Sequence, residues 1–197
     1  MFFSTIRFII GLGNPGIEYE GTRHNIGFEV VDCLTEKLDI KLIPGKGDYL
    51  IGWKRINQQH VGIVKPLTFM NNSGVAVRDI AESYSTSTSG LLVVVDDFNL
   101  PLGTLRLRHK GNDGGHNGLY SLIYHLHSNE FPRLRCGIAG VTMPTNKKDM
   151  AGYVLSTFDK QENEIADRMI HRASDALFVS ITEGLDAAIN KYNTKNV

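Results

Sequence analysis

Five polar side chains stand at the places where this chain passes from an apolar run into a loop, or from a loop into a helical pattern: Asn14, His24, Asn71, Asp96 and Asn117. One imidazole, one carboxylate and three amides suit water-mediated acyl chemistry. A neutral imidazole, with a reference pKa near ~6.5, takes a proton from water at neutral pH. A carboxylate on its other nitrogen fixes the tautomer and stabilises the imidazolium that forms. Side-chain amides donate to a developing oxyanion, or hold a carbonyl, without adding charge. No serine stands in a G-x-S-x-G turn and no H-E-x-x-H occurs, so a nucleophilic serine or cysteine and a catalytic metal are both unsupported.

The elements that must carry these groups are legible around them. Phe8-Ile9-Ile10 reads as a buried strand that stops in the turn Gly11 to Gly16, where Asn14-Pro15-Gly16 is strong turn chemistry. Gly11-Leu-Gly13-Asn-Pro-Gly16 also matches the dinucleotide fingerprint G-x-G-x-x-G. That reading needs a helix to begin within the glycines, and Pro15, Gly16 and Gly21 interrupt one. Asp32, at a tolerable distance for a ribose contact, falls inside the next helical run instead of ending a second strand. Read alone, the stretch is also a structural turn with a surface histidine.

Residues 26–38 place Val30, Val31, Leu34 and Leu38 on one helical face. Tyr49–Asn57 and His60–Lys65 read as strands joined by a polar turn, with Pro66 ending the second. A loop from Thr68 leads into a helix whose buried face holds Val77, Ile80, Ala81 and Tyr84. Leu91–Val95 is the best central parallel strand, ending in Asp96-Asp97. Thr104–His109 alternates as a half-exposed strand, and Lys110–Gly118 is a glycine-rich loop. A short helix (Leu119–Leu126), a strand (Leu134–Ala139), a long helix (Lys160–Val179) and a final helix (Glu183–Tyr192) follow. Gly140–Gly152 is an exposed loop expected to act as a mobile flap. The expected fold is α/β: a single domain over residues 1–197, with a twisted, mixed, largely parallel sheet flanked by helices on both faces.

The chain has 197 residues, 42% hydrophobic and 21% charged, which suits one globular domain with a full core. Its 21 Lys+Arg balance 21 Asp+Glu, so any nucleic-acid partner must be met by locally grouped basic residues. Cys33 and Cys136 read as reduced core thiols in a cytoplasmic protein. The apolar start Met1-Phe2-Phe3 is broken by Ser4, Thr5 and Arg7. Neither a signal peptide nor a membrane span is expected.

Six motifs follow one another in order: Gly11-Leu-Gly-Asn-Pro-Gly-x-x-Tyr19; Thr22-Arg-His-Asn-x-Gly27; Lys65-Pro-x-Thr-x-Met-Asn-x-Ser-Gly74; Asp96-Asp-x-x-Leu-Pro-x-Gly103; Gly114-Gly-His-Asn-Gly118; and Phe131-Pro-Arg-Leu-Arg135. Together they closely resemble the bacterial-type peptidyl-tRNA hydrolase family, over nearly the whole chain. The resemblance implies a cytoplasmic, monomeric esterase without metal or cofactor. Such an enzyme cleaves the ester between a peptide and the 3′-terminal ribose of tRNA, recycling tRNA from aborted translation. His24 then matches the catalytic base and Asp96 the carboxylate that orients it. Asn14 and Asn71 match the amides that position peptide, water or oxyanion. Asn117 matches a substrate-contacting amide, and Tyr19 and Met70 match the lining of the peptide channel. Arg108 and Arg135 fall where the family binds tRNA phosphates. The chain departs from the pattern at Asn99, where an aspartate is common, at Leu102, where proline is frequent, and at Asn112-Asp113, which puts an acid in a loop on the tRNA side.

Plainer readings stand beside these. Without the resemblance, Asp96 reads first as a cap of the next turn, Asn71 and Asn117 as helix caps, and Met70 as core. His116 is taken as a support hydrogen-bonded in its loop ahead of direct substrate contact, and is kept with the cleft residues. His125 and His127 read as a solvated helix end. Arg106, Arg108, His109 and Lys110 form a basic strip, near which Arg133 and Arg135 are expected to lie, giving the patch that a phosphate backbone needs. An RNA-binding protein without chemistry, a nucleotide-dependent oxidoreductase and a scaffold are the competing classes. The intact His24, Asp96, Asn14 and Asn71 argue against the first of these.

Overall fold

The computed structural model describes residues 6–146 and 148–193. The apolar start Met1-Phe2-Phe3 lies outside them. Seven strands form one sheet in the order β2-β3-β4-β1-β5-β7-β6. They are β1 (Phe8–Gly11), β2 (Ile43–Pro44), β3 (Tyr49–Ile56), β4 (Gln59–Pro66), β5 (Leu91–Pro101), β6 (Leu105–Arg108) and β7 (Arg133–Ala139). The central four, β4-β1-β5-β7, run parallel. The flanking strands β3, β2 and β6 are antiparallel to their neighbours. The sheet is therefore mixed around a parallel centre.

Burial alternates along the central strands as the two-residue period requires. Ile9, Leu92 and Val94 face one core, together with α1 (Ile26–Leu38), α5 (Lys160–Thr182) and α6 (Leu185–Tyr192). Phe8, Ile10, Leu91, Val93 and Val95 face the other, with α2 (Ser73–Ser83) and α3 (Asn117–Leu126). Apolar residues on every second position would leave one face wet. Here both sets are apolar, so helices cover both faces.

The boundaries differ from expectation in three informative places. The expected turn between β3 and β4 is two residues, Asn57 and Gln58, both at positive φ (49° and 66°). That matches the twist of a tight hairpin, in which neither central residue need be glycine when one is asparagine. β5 does not end at Asp96-Asp97 but continues to Pro101, with a register shift against β7 between Asp97 and Pro101. The shift lets the strand bend while the paired acids remain within it. The expected flap, 140–152, contains the start of a short helix, α4 (Met150–Val154).

One contact sets the spacing of the central elements. A Cβ on Gly27, in the first turn of α1, would lie 2.4 Å from the Leu12 carbonyl oxygen and 2.6 Å from that of Val94. α1 thus rests directly on the backbone that continues β1 and on that of β5.

Candidate active site

The parallel strands β1 and β5 deliver their loops to the same edge of the sheet, where open α/β sheets hold their ligands. His24 lies in a 3-10 turn, Arg23–Asn25, just before α1. Its Nδ1 is 2.7 Å from Asp96 Oδ1. A carboxylate only accepts, so Nδ1 carries the hydrogen and the Nε2 of the neutral ring carries the lone pair. Asp96 is therefore no turn cap: it is 1% exposed and its Oδ1 also accepts from His116 Nε2 at 2.9 Å. The other oxygen, Oδ2, is buried with no hydrogen-bond partner among the described residues. Burial pushes the Asp96 pKa up, but the two imidazoles outweigh it and hold the carboxyl well below the usual carboxylate range. Burial likewise pulls His24 down, and the charge and hydrogen bond of Asp96 more than reverse this. Its pKa is raised above 6.5.

His116 has both ring nitrogens engaged within the protein. It is the N-cap of α3, with Nδ1 accepting from Leu119 N–H at 3.2 Å and Nε2 donating to Asp96. One neutral tautomer satisfies both bonds, so neither ring nitrogen is left for a substrate. The His24 and His116 rings lie 4.9 Å apart. The loop that carries His116 is fastened from below. Arg135 donates to Asp97 Oδ2 (3.1 Å) and to the Asn112 and Asp113 carbonyls (2.7 and 3.2 Å). Asn99 Nδ2 donates to Asp97 Oδ1 (3.1 Å) and to the Gly114 carbonyl (3.3 Å). Asn99 thus donates where an aspartate would present only acceptors. Asp113 accepts from Gly115 N–H and shapes its own turn.

Asn14 is held by its neighbours on both sides. Its N–H donates to Asn25 Oδ1 (2.7 Å), and Asn25 Nδ2 donates back to its carbonyl (3.0 Å). Its Oδ1 accepts from Met70 N–H (2.8 Å). That bond fixes the amide's orientation and leaves Nδ2 as the end with no partner among the described residues. Met70 itself departs from expectation: its side chain is 3% exposed and packed in the core with Leu119 and Leu122. It reaches the site through its backbone. Asn71, next in the 3-10 turn Met70–Asn72, is exposed, and its side chain makes no hydrogen bond among the described residues. Tyr19 is half-buried, with its ring edge-on to Phe69 at 6.3 Å. Phe69 is 49% exposed at φ 58°. A left-handed non-glycine residue stores strain of about 1–3 kcal/mol and commonly marks a functional loop.

A cavity of about 320 Å³ opens beside the histidine pair, lined by His24, Asp96, Phe98, His116, Asn117 and Met150 among others. Asn117 is exposed at its edge. Phe98 and the α4 residues Met150, Ala151 and Val154 escaped the sequence reading, because no local pattern marks a residue that meets the site only through the fold. A neighbouring cavity of about 530 Å³ includes Asn14, Asn25, Glu29, Asp32 and Lys65. In it Lys65 Nζ pairs with Asp32 (2.6 Å) and sits over the Phe28 ring. Asn14 lines this second cavity and is bonded to Asn25, the residue that follows His24.

The expected basic patch is smaller than the sequence suggests. Arg133 is 1% exposed and donates to the carbonyls of Gly111, Asn129 and Phe131. The Arg135 side chain is 12% exposed and paired with Asp97. Arg106 and Arg108 are exposed on the edge strand β6, and neither forms an ion pair among the described residues. His109 and Lys110 pair with Asp186 and Glu130. His127 is exposed at the end of α3, and His125 Nδ1 meets the Ser121 carbonyl. Among the described residues one group, His24, Asp96 and His116, has ligand atoms close enough to share a metal ion, all within 4.8 Å of one another. Those atoms already bind each other through protons, which a cation would have to displace.

Comparison with known proteins bears on the chain as a whole. The sequence model of the peptidyl-tRNA hydrolase family matches residues 8–197. The peptidyl-tRNA hydrolase of Thermoanaerobacter sp. (strain X514) is 42% identical over 94% of this chain and 98% of its own. That of Salinibacter ruber is 45% identical over 93% of this chain and 96% of its own. The crystal structure of peptidyl-tRNA hydrolase from Acinetobacter baumannii superposes with a TM-score of 0.91 at 33% identity, covering 98% of this chain and 97% of that one. With the motif order, the sheet and the matched length in agreement, this chain belongs to the peptidyl-tRNA hydrolase family.

Proposed function

We propose that the chain hydrolyses the ester bond of peptidyl-tRNA with His24 as general base. The observation that carries this is the 2.7 Å bond from His24 Nδ1 to the buried Asp96 at the wall of a cavity. It leaves Nε2 as the lone-pair nitrogen. His24 Nε2 takes a proton from water, and the resulting hydroxide attacks the ester carbonyl. The tetrahedral oxyanion accepts from a side-chain amide. Asn14, whose Oδ1 is fixed by Met70 N–H and whose Nδ2 is left over, is the better-oriented donor, and Asn71 the more exposed one. Imidazolium at His24 then returns its proton to the departing ribose oxygen, giving free peptide acid and tRNA.

His116 serves as a positioning residue, Asn117 as a contact at the cavity edge, and Tyr19 as a wall of the peptide path. Arg108 meets tRNA phosphate from the edge strand. Arg135 chiefly steadies the loop that ends in His116. Two cores on one sheet support reading the chain as one domain. No helix of the described residues is long and apolar enough to cross a membrane. We expect a monomer that needs neither metal nor cofactor.

Hydrolysis of N-acetyl-aminoacyl-tRNA, with chelator present, tests the reading. Cleavage that collapses in His24→Ala and drops steeply in Asp96→Asn, with both variants folded, is expected. Undiminished cleavage in both places the chemistry elsewhere. A parent protein that binds tRNA without cleaving it returns the RNA-binding class.

A further inference from the structure

The most exposed large aromatic side chains among the described residues are Tyr120 and Tyr124, at 63% and 64%. Neighbouring exposed tyrosines offer flat, amphipathic ring faces to a partner. Both lie on α3, the helix that His116 caps and Asn117 begins. Asn117, Tyr120 and Tyr124 stand at i, i+3 and i+7, on one helical face. All three are exposed, whereas Leu119 and Leu122 point into the core and Ser121 meets α2 through Gly74 N–H. The stripe starts at the cavity edge, where Asn117 lies. It runs outward for about 10 Å, at 1.5 Å per residue.

The ring of Tyr124 is held edge-on against His125, with centroids 5.1 Å apart at 82°, and His125 Nδ1 donates to the Ser121 carbonyl at 2.9 Å. The outer tyrosine is therefore braced by its own helix. Residues four apart on a helix have Cβ atoms about 5–6 Å apart, a spacing that lets two rings bracket one planar base.

We propose that Tyr120 and Tyr124 form a stacking platform for the unpaired nucleotides next to the scissile ester. The inference rests on the peptidyl-tRNA reading above and adds to it where the strand leaves the site. The ester-bearing ribose sits in the cavity, so the preceding nucleotides must leave past its edge, and the Asn117 stripe is continuous with that edge. Unpaired bases present flat π-faces, and exposed aromatic rings bind them without regard to sequence. That tolerance suits an enzyme acting on the common end of many tRNAs.

The test compares two substrates: N-acetyl-aminoacyl-tRNA and the same N-acetyl-aminoacyl ester on adenosine alone, which lacks the preceding nucleotides. In the Tyr120→Ala/Tyr124→Ala double variant, KM for the tRNA ester should rise about tenfold or more with kcat nearly unchanged. kcat/KM for the adenosine ester should stay within about twofold of the parent. Tyr120→Trp/Tyr124→Trp should keep KM for tRNA near the parent value, since indole stacks at least as well. An unchanged KM in the alanine variant overturns the platform, as does an equal loss on both substrates. A tryptophan variant as impaired as the alanine one also overturns it, and this comparison decides even where the adenosine ester turns over too slowly to measure. Failure of the parent protein to cleave the tRNA ester would instead defeat the hydrolase reading.

Discussion

The guanidinium of Arg23 meets the carboxylate of Glu162 at 2.6 Å across 139 positions of the chain, with both side chains almost wholly buried. Arg23 also lies over the rings of Tyr153 and Phe158, at 4.5 and 4.6 Å. Glu162 closes the capping box that starts α5. The residue before the candidate base is thus anchored to the elements that follow the flap. Glu162→Gln leaves the Arg23 charge buried and unpaired, and should cost about 3–5 kcal/mol of stability. Urea unfolding of the variant beside the parent checks this. A loss below about 1 kcal/mol would mean that the pair is screened or replaceable.

The pH dependence follows from the sign of the His24 shift. A general base works when deprotonated, and Asp96 raises the His24 pKa above 6.5. The acid limb of kcat/KM should therefore have its midpoint above pH 6.5. Asp96→Asn removes the charge that raises the pKa and leaves the burial that lowers it. The limb should move to lower pH while the plateau falls by orders of magnitude. A limb that keeps its midpoint in Asp96→Asn would assign the titration to another group.

His116 has two jobs that separate by substitution. His116→Ala loses both the cap of α3, worth about 1 kcal/mol, and the second donor to Asp96. His116→Asn offers a cap acceptor again but is too short to reach Asp96. Thermal unfolding should show the asparagine variant recovering most of the stability lost in the alanine variant. Both should share a fall in kcat of about tenfold or more, with KM little changed. Full activity in either variant would remove His116 from the positioning network.

The two arginines assigned to tRNA should behave differently. Arg108→Ala takes a cation from the exposed edge strand, so KM should rise several-fold and the slope of log KM against log salt should fall by about one. Arg135→Ala removes the donor that ties the Asp97 carboxylate to the Asn112 and Asp113 carbonyls, and its main effect should be on kcat, through the His116 loop. Titrating salt in both variants distinguishes the roles, and identical slopes and kcat changes would deny the distinction.

What the sequence disclosed, and what it withheld, follows from range. The helix over 26–38 and the buried run Leu91–Val95 are written in local periodicity and formed where expected, and the expected hairpin formed with its turn drawn in to Asn57-Gln58. The pairing of His24 with Asp96 was legible through motif order. The local reading of Asp96 preferred a cap, because a carboxylate ending an apolar run looks the same whether it binds the next amide or an imidazole 72 positions away. Arg133 and Arg135 looked like surface charge because adjacent basic residues give no sign of the carbonyls and the acid that bury them. Met70 reads as core on its own and as channel lining by resemblance, and only the packing shows its side chain in the core beside α3 with its backbone N–H on Asn14 Oδ1.

The bare contact at Gly27 has a bearing on how the chemistry tolerates change. His24 lies three residues before Gly27, and Asp96 two residues after Val94, whose carbonyl a Cβ on Gly27 would strike. The gap between base and carboxylate is therefore gauged by main chain against main chain, with no rotamer in between to drift. Substitutions in the core between sheet and α1 can loosen the protein and lower its melting point long before they detune the 2.7 Å bond. A side chain of any size at position 27 would strike two backbone carbonyls, pushing α1 off both strands and opening the gap directly. Position 27 is therefore the point on α1 where a change of sequence reaches the pairing of base and carboxylate most directly.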